Sequence, residues 1–285
     1  MIVVTGATGN VGRALVDQLT AAQAPVRALT RDPRRAQLPP DAGAVRFDPA
    51  AEPADLAPLF DGATALFLHR AAVGDHTDAV LAAAAKGGVQ HVVVLSSGII
   101  EEGADRTNPI YGIHADLEEA VRRSGLERTF LRPNAFAANS LQWADQIRAG
   151  DTVRGPFAGA LSAPIHEADI AAVAARALLD DGHGHRGAVH RLTGPAAVST
   201  EEQIHTIGQA LGRDLRFVEV PPEEVTEDMF PHVPAAMLPT FLRAIARIVG
   251  VAPEITSTVE SVTGTPARTF TDWAKDHRDD FAPRN

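Results

Sequence analysis

The run Thr5-Gly6-Ala7-Thr8-Gly9-Asn10-Val11-Gly12 follows the apolar triplet Ile2-Val3-Val4 directly. Glycines at these intervals between a strand and a helix can cradle a diphosphate. Gly6 permits the tight turn, Gly9 lets the backbone approach the phosphates, and Gly12 lets the helix pack against the strand. The helix start then offers free N–H groups and the positive end of its dipole. A purely structural turn is the blander reading; the strand–turn–helix context favours a dinucleotide. A second feature follows the next apolar run, Pro25 to Leu29. NAD sites usually place Asp or Glu there, to hold the ribose 2′-hydroxyl. This chain has Thr30-Arg31, with Arg34 and Arg35 nearby. A guanidinium can pair with a 2′-phosphate and stack on adenine. NADP(H) is therefore expected over NAD(H), although Arg34 and Arg35 also fit a solvated turn. Asp48 either accepts from the adenine amino group or serves a turn.

Proton chemistry points to one stretch. On a helix, Tyr111, His114 and Glu118 fall at i, i+3 and i+7, which is one face. Histidine is a suitable proton donor near neutral pH. A cap or surface histidine paired with Glu118 is the alternative, as is simple packing for Tyr111. Further candidates sit where open α/β sheets bind ligands, just past strand ends. These are Leu68, His69 and Arg70 after a fourth strand, Ser96 and Ser97 after a fifth, and Asn134 and Phe136 after a sixth. Arg70 could reach a phosphate or an acidic substrate. Ser96 and Ser97 fit a helix cap as well as a site. Phe136 reads as core or as pocket lining, Trp143 as pocket lining or lobe packing, and Arg132 as structural.

The elements that position these residues alternate. Short apolar runs at about 2–4, 25–29, 44–47, 63–68, 91–95 and 128–131 read as strands. Helical patterns lie between them at about 10–22, 54–60, 74–87 and 112–124, the last with Ile113, Leu117, Ala120 and Val121 inward. Alternation of this kind implies a parallel sheet covered on both faces, hence a doubly wound Rossmann-like α/β fold. Residues 1–150 are expected to form this lobe, with about 160–195 packing back on it. Residues 151–285 are expected to form a smaller, mostly helical lobe that covers the substrate. Within it, residues 188–192 and 215–220 read as strands, and Ser199 with Glu202 as a capping box.

Composition narrows the classes. The chain has 285 residues, 45% hydrophobic and 22% charged, ample for a core. A net charge of −10 argues against a nucleic-acid partner. No apolar run reaches membrane-spanning length and the first residues carry no secretory signal, so a cytoplasmic location is expected. Cysteine is absent, which excludes disulfides, thiol catalysis and Cys-ligated metals. His183-Gly184-His185 beside Asp180 and Asp181 is the one close histidine pair, and no further ligand cluster accompanies it, so no metal is expected. No Gly-x-Ser-x-Gly elbow and no Walker loop is present.

TGATGNVG at the start, RALTRDP after strand two, LSSGI after strand five and LRPNAFAANSL after strand six together resemble the NmrA-like proteins. These are atypical members of the extended short-chain dehydrogenase/reductase superfamily. PIHEADIAAVAARAL, STEEQIHTIGQALGR and VTGTPARTFTDWA extend the resemblance over nearly the whole chain. It implies NADP binding, with cofactor contacts at Thr5 to Gly12, Arg31, Asp48, Leu68 to Arg70, Ser96, Ser97, Asn134 and Phe136. It also implies a homodimer. Superfamily members carry Tyr-x-x-x-Lys; here Tyr111 is followed four residues later by Ala115, so the full dyad is missing. His114, with Tyr111 nearby, is then the expected proton donor. The expected activity is NADPH-dependent hydride transfer to a small electron-poor acceptor such as a quinone or enone. The alternative from the same resemblance is a non-catalytic NADP-binding redox sensor with a protein partner. A non-redox cyclase or lyase is a third reading, and no residue points to its substrate.

Overall fold

The computed structural model describes residues 1–101, 106, 108–180, 184–230 and 233–282. The chain divides into two compact units. The first comprises residues Met1–Asn134, Glu167–Leu192 and Thr258–Thr265. Its centre is a sheet of seven parallel strands: β1 (Ile2–Val4), β2 (Val26–Thr30), β3 (Val45–Arg46), β4 (Ala65–His69), β5 (His91–Leu95), β6 (Glu127–Pro133) and β7 (Val189–Leu192). Their spatial order is β7-β6-β5-β4-β1-β2-β3. The strands are short, and β1 and β5, rich in β-branched residues, are buried along their whole length, as two-sided coverage requires. Helices α1 (Asn10–Ala21), α2 (Thr77–Lys86), α3 (Pro109–Arg123) and α4 (Glu167–Leu179) supply that coverage. α1 packs against α4, and α2 against α3. The strand order reverses between β1 and β4, so their carboxyl ends form the switch point where such sheets bind ligands.

The loop after β1 is fixed by contact. Gly6 has φ +64°, a left-handed conformation open to glycine. A Cβ on Gly12 would stand 2.1 Å from the Gly6 carbonyl oxygen, so only hydrogen fits there. Thr5 ties the two central strands together. Its hydroxyl donates to Phe67 O at 3.0 Å and accepts from the His69 amide at 2.9 Å.

The second unit comprises Ala135–His166, Thr193–Ser257 and Pro266–Asn285. The division falls after Asn134 and not near residue 150. Ala137, Trp143, Ala144 and Ile147 join a separate core with Ile204, Ile207, Phe270 and Trp273. Helices Thr200–Leu211, Leu238–Ala246 and Phe270–Asp276 dominate it. The Ser199 capping box forms, with Glu202 N donating to Ser199 Oγ at 3.1 Å and Ser199 N to Glu202 Oε2 at 2.7 Å. Three two-stranded pairings complete the unit, including Arg216–Glu219 alongside Thr152–Gly155.

One inward residue needs correction. Ile113 is 43% exposed, whereas Leu117, Ala120 and Val121 are buried. Ile113 shares the angular stripe of Leu117 and Ala120, but no residue of α3 before Leu117 is buried, so its exposure follows from its place near the helix start.

Replacing Gly12 by alanine forces the α1 start away from Gly6. Thermal unfolding of Gly12→Ala should show a loss of at least ~2 kcal/mol, roughly 5 °C in Tm. An unchanged Tm would mean that the approach is not as tight as described.

Candidate functional site

In the first unit, an open cleft of about 540 Å³ lies along the carboxyl edge of the sheet. Gly6, Thr8 and Gly9 line one part, Thr30, Arg31 and Phe47 another, and His69 and the stretch 71–76 a third. Thr8, Gly9 and Asn10 are exposed, and no side chain caps α1. The first helical bond runs from Arg13 N to Gly9 O at 2.8 Å. The amides of Asn10, Val11 and Gly12 thus precede it and point out of the helix start, as a phosphate cradle requires. Val11 and Gly12 are otherwise buried.

The end of the cleft beside β2 is marked by charge. Thr30 is buried and Arg31 is exposed on the lining. Arg34 and Arg35 stand on a single turn of 3-10 helix, Pro33–Arg35, capped by Asp32, which accepts from Arg34 N at 3.1 Å. Asp48 is turned to its own loop, accepting from Ala50 N at 3.0 Å, while its neighbours Phe47 and Pro49 line the cleft.

His69, expected as a cofactor contact past the fourth strand, brings its ring as well as its backbone to the cleft. Its ring lies over the glycine loop: a Cβ on Gly6 would meet His69 Nδ1 at 2.7 Å. Burial pushes its pKa below the ordinary histidine value. The lining residues Val73 to His76 were also missed; nothing in their pattern signals a ligand. Leu68 is wholly buried in β4, so any contact it makes is through its backbone. Arg70 donates to Asp75 Oδ1 at 2.9 Å.

The stripe on α3 divides into two roles. Glu118 is completely buried and holds three partners. Ser96 Oγ donates to Oε1 at 2.7 Å, Arg132 Nε and Nη2 reach Oε1 and Oε2 at 2.8 and 2.7 Å, and Arg122 Nη2 reaches Oε2 at 2.7 Å. Burial alone would raise this carboxyl. Hydrogen bonds from Arg132 and Ser96, with the two guanidinium charges, outweigh it and hold the group below the ordinary glutamate range. Glu118 therefore does not extend a polar face along the cleft. Ser96 is likewise buried, with its hydroxyl committed to Glu118 rather than presented to a ligand.

His114 is half-buried, and its Nδ1 is enclosed with no hydrogen-bond partner among the described groups. Burial lowers its pKa; Glu118 pulls it up, while His69 and Arg70 push it down. These couplings place His114 in the electrostatic reach of the His69–Arg70 strand end. Tyr111 is half-buried beneath the Arg106 guanidinium, 5.9 Å from its ring centre. Ser97 Oγ accepts from Ile99 N at 3.3 Å. Asn134 leans on Gly98, where an added Cβ would collide with its Oδ1.

The second unit holds its own cavity of about 190 Å³, with Phe136, Trp143, Gln203 and Phe241 in its wall. Elsewhere, His185 Nδ1 lies 3.1 Å from His190 Nε2, and His183 and Asp181 fall outside the described residues.

The glycine geometry, the uncapped helix start and the basic loop fit a nicotinamide dinucleotide. The sequence pattern of an NAD(P)H-binding family matches residues 6–181. The chain belongs to this NAD(P)H-binding family. It is an oxidoreductase that uses NAD(P)H. It is 37% identical, over 99% of its length and 100% of the relative's, to a (4-alkanoyl-5-oxo-2,5-dihydrofuran-3-yl)methyl phosphate reductase of Streptomyces griseus. It is 32% identical, over 97% of its length and 98% of the relative's, to an NAD(P)H azoreductase of Xenophilus azovorans. Its fold matches the NADPH complex of a quinone oxidoreductase from Escherichia coli, with TM-score 0.78 and 22% identity over 97% and 99% of the two chains. Among the described residues, no helix is long and apolar enough to cross a membrane.

The histidines give a pH dependence. His69, His114 and His190 all have folded pKa values below the ordinary 6.5, with burial the largest cause. The unfolded chain then binds protons that the folded chain refuses. Stability should be full above pH 6.5 and fall as the pH drops through the depressed values. Glu118 keeps its contribution over that range, because its loss begins only below the ordinary carboxyl value of 4.5. Urea unfolding at pH 7.5, 6.5 and 5.5 checks this; a flat or rising stability toward pH 5.5 would contradict it.

Proposed function

We propose that the protein reduces small electron-poor acceptors, such as quinones and conjugated carbonyl compounds, at the expense of NADPH. The observation that carries the acceptor class is His114. Its enclosed Nδ1 lacks a partner, on a helix where Ala115 replaces the lysine of a Tyr–Lys dyad. Without that lysine, no ammonium helps tyrosine protonate an alkoxide, so unactivated ketones are poor candidates. A quinone or conjugated carbonyl needs only weak proton assistance. An unpartnered lone pair is easier to tolerate than an unpartnered N–H, so the neutral ring carries its proton on Nε2. Nε2 is the nitrogen left to hydrogen-bond the acceptor oxygen. Depression of the His114 pKa keeps the ring neutral near pH 7, as a hydrogen-bonding electrophile rather than a fixed charge.

The 2′-phosphate reading rests on Arg31. The position that would be acidic for NAD is Thr30, buried, and the next residue, Arg31, lines the cleft. Thr5, Gly6, Thr8, Gly9, Asn10, Val11 and Gly12 would hold the diphosphate, with His69 over the turn. The bound cofactor supplies the hydride. The chain's own residues orient it, exclude water and assist one proton. Asp48, Leu68, Arg70, Ser97, Asn134 and Phe136 remain candidate contacts, and Ser96 contributes through its backbone alone. The Streptomyces relative is named for a substrate whose ring double bond is conjugated to a lactone carbonyl and an alkanoyl group. That is the acceptor class proposed here.

His114→Ala should lower kcat for a 2-alkanoyl butenolide by about a hundredfold, the scale of general acid–base assistance. NADPH affinity, read by fluorescence titration, should stay within about twofold, since the variant removes no phosphate contact. A full-speed variant would sink the proposed role of His114.

A further inference from the structure

The turn that carries Arg31 is not held by its own residues alone. Past the single 3-10 turn, Ala36 is buried and Gln37 adopts φ +48°, a left-handed conformation that non-glycine residues seldom take. The carbonyls at this exit are both gripped from α1. Arg13 Nη1 donates to Gln37 O at 2.7 Å, and Arg13 Nη2 to Ala36 O at 3.0 Å. Arg13 follows Gly12 directly, and its amide makes the first helical bond to Gly9 O. One residue is thus tied by its backbone to the glycine loop and by its side chain to the arginine turn.

We infer that Arg13 is a positioning residue that sets the preference for NADPH over NADH. The inference rests on the reading that Arg31 holds the 2′-phosphate. The diphosphate and the 2′-phosphate belong to one ligand, so the separation of their two binding sites must match it. A tether between the glycine loop and the Arg31 turn fixes that separation before binding and removes the cost of ordering the turn. The planar guanidinium spans two adjacent carbonyls at once, which a lysine ammonium does less well. Both terminal nitrogens of Arg13 are spent on backbone, so it acts through Arg31 and not on the phosphate itself.

The test is the dissociation constants of NADPH and NADH for wild type, Arg13→Met, Arg13→Lys, Arg31→Ala and the Arg13→Met/Arg31→Ala double variant, read by fluorescence titration. Arg13→Met should weaken NADPH by about tenfold, equivalent to ~1.4 kcal/mol, and NADH by less than about twofold. Arg13→Lys should recover part of the loss. In the Arg31→Ala background, Arg13→Met should leave the ratio of the two constants unchanged, as expected for residues acting through one contact. Equal weakening of both cofactors, or no change in ratio, would overturn the inference and leave Arg13 a general structural residue. If Arg31→Ala itself leaves the ratio unchanged, the 2′-phosphate reading fails as well. If Arg31→Ala collapses the ratio and Arg13→Met does not, only the role of Arg13 fails. Should Arg13→Met not fold, Arg13→Lys carries the same comparison.

Discussion

The approach of Gly12 to the Gly6 carbonyl is the constraint on which the cofactor edge depends. A methyl group has no room there, because its carbon would lie 2.1 Å from that oxygen. The contact seats α1 directly above the end of β1, with its first amides turned outward. It also sets Arg13 within reach of the loop after β2, and leaves Gly6 under the His69 ring from β4. Three loops from three strands are therefore brought into register by one close backbone contact. Small residues at 6 and 12 are required by sterics, and the anion-binding chemistry follows from the helix end that they expose.

A second anchor stands at the next strand end. Glu118 gathers Ser96 from the β5 loop, Arg132 from β6 and Arg122 from its own helix around one carboxylate. A buried ion pair of this kind often adds little net stability. It gives a fixed geometry: α3 cannot slide along the sheet without leaving a guanidinium or the carboxylate unpaired. His114, one turn earlier on α3, inherits that placement. The network thus holds the proposed proton-assisting group without contacting an acceptor itself.

Much of the fold was legible because a parallel sheet buried on both faces needs continuous apolar strands, and the chain spells them out. HVVVL is all core, and even the edge strand near 188–192 shows in the pattern. The glycine loop was legible for the same local reason. What escaped was set by contacts distant in sequence. Glu118 looks like a polar helix residue until Arg132, 14 positions away, and Ser96, 22 away, close on it. Ile113 looked inward because it shares a stripe with Leu117 and Ala120, yet the burial of α3 begins only at Leu117. Arg13 and the His69 ring give no local signal at all, since their partners lie on other strands' loops. The boundary after Asn134 was missed because a helical run over 137–149 suits either unit; only packing on Ile204, Phe270 and Trp273 assigns it.

The central claim is direct reduction of a conjugated acceptor at the expense of NADPH. The most direct measurement is a single turnover with NADPH deuterated at one face of nicotinamide C4, against a 2-alkanoyl butenolide, followed by NMR of the product. The account predicts one deuterium on the former β-carbon from one face of the cofactor and none from the other, with the solvent proton at the neighbouring carbon. Tight NADPH binding with no oxidation, or product carrying only solvent hydrogen at the β-carbon, would contradict it.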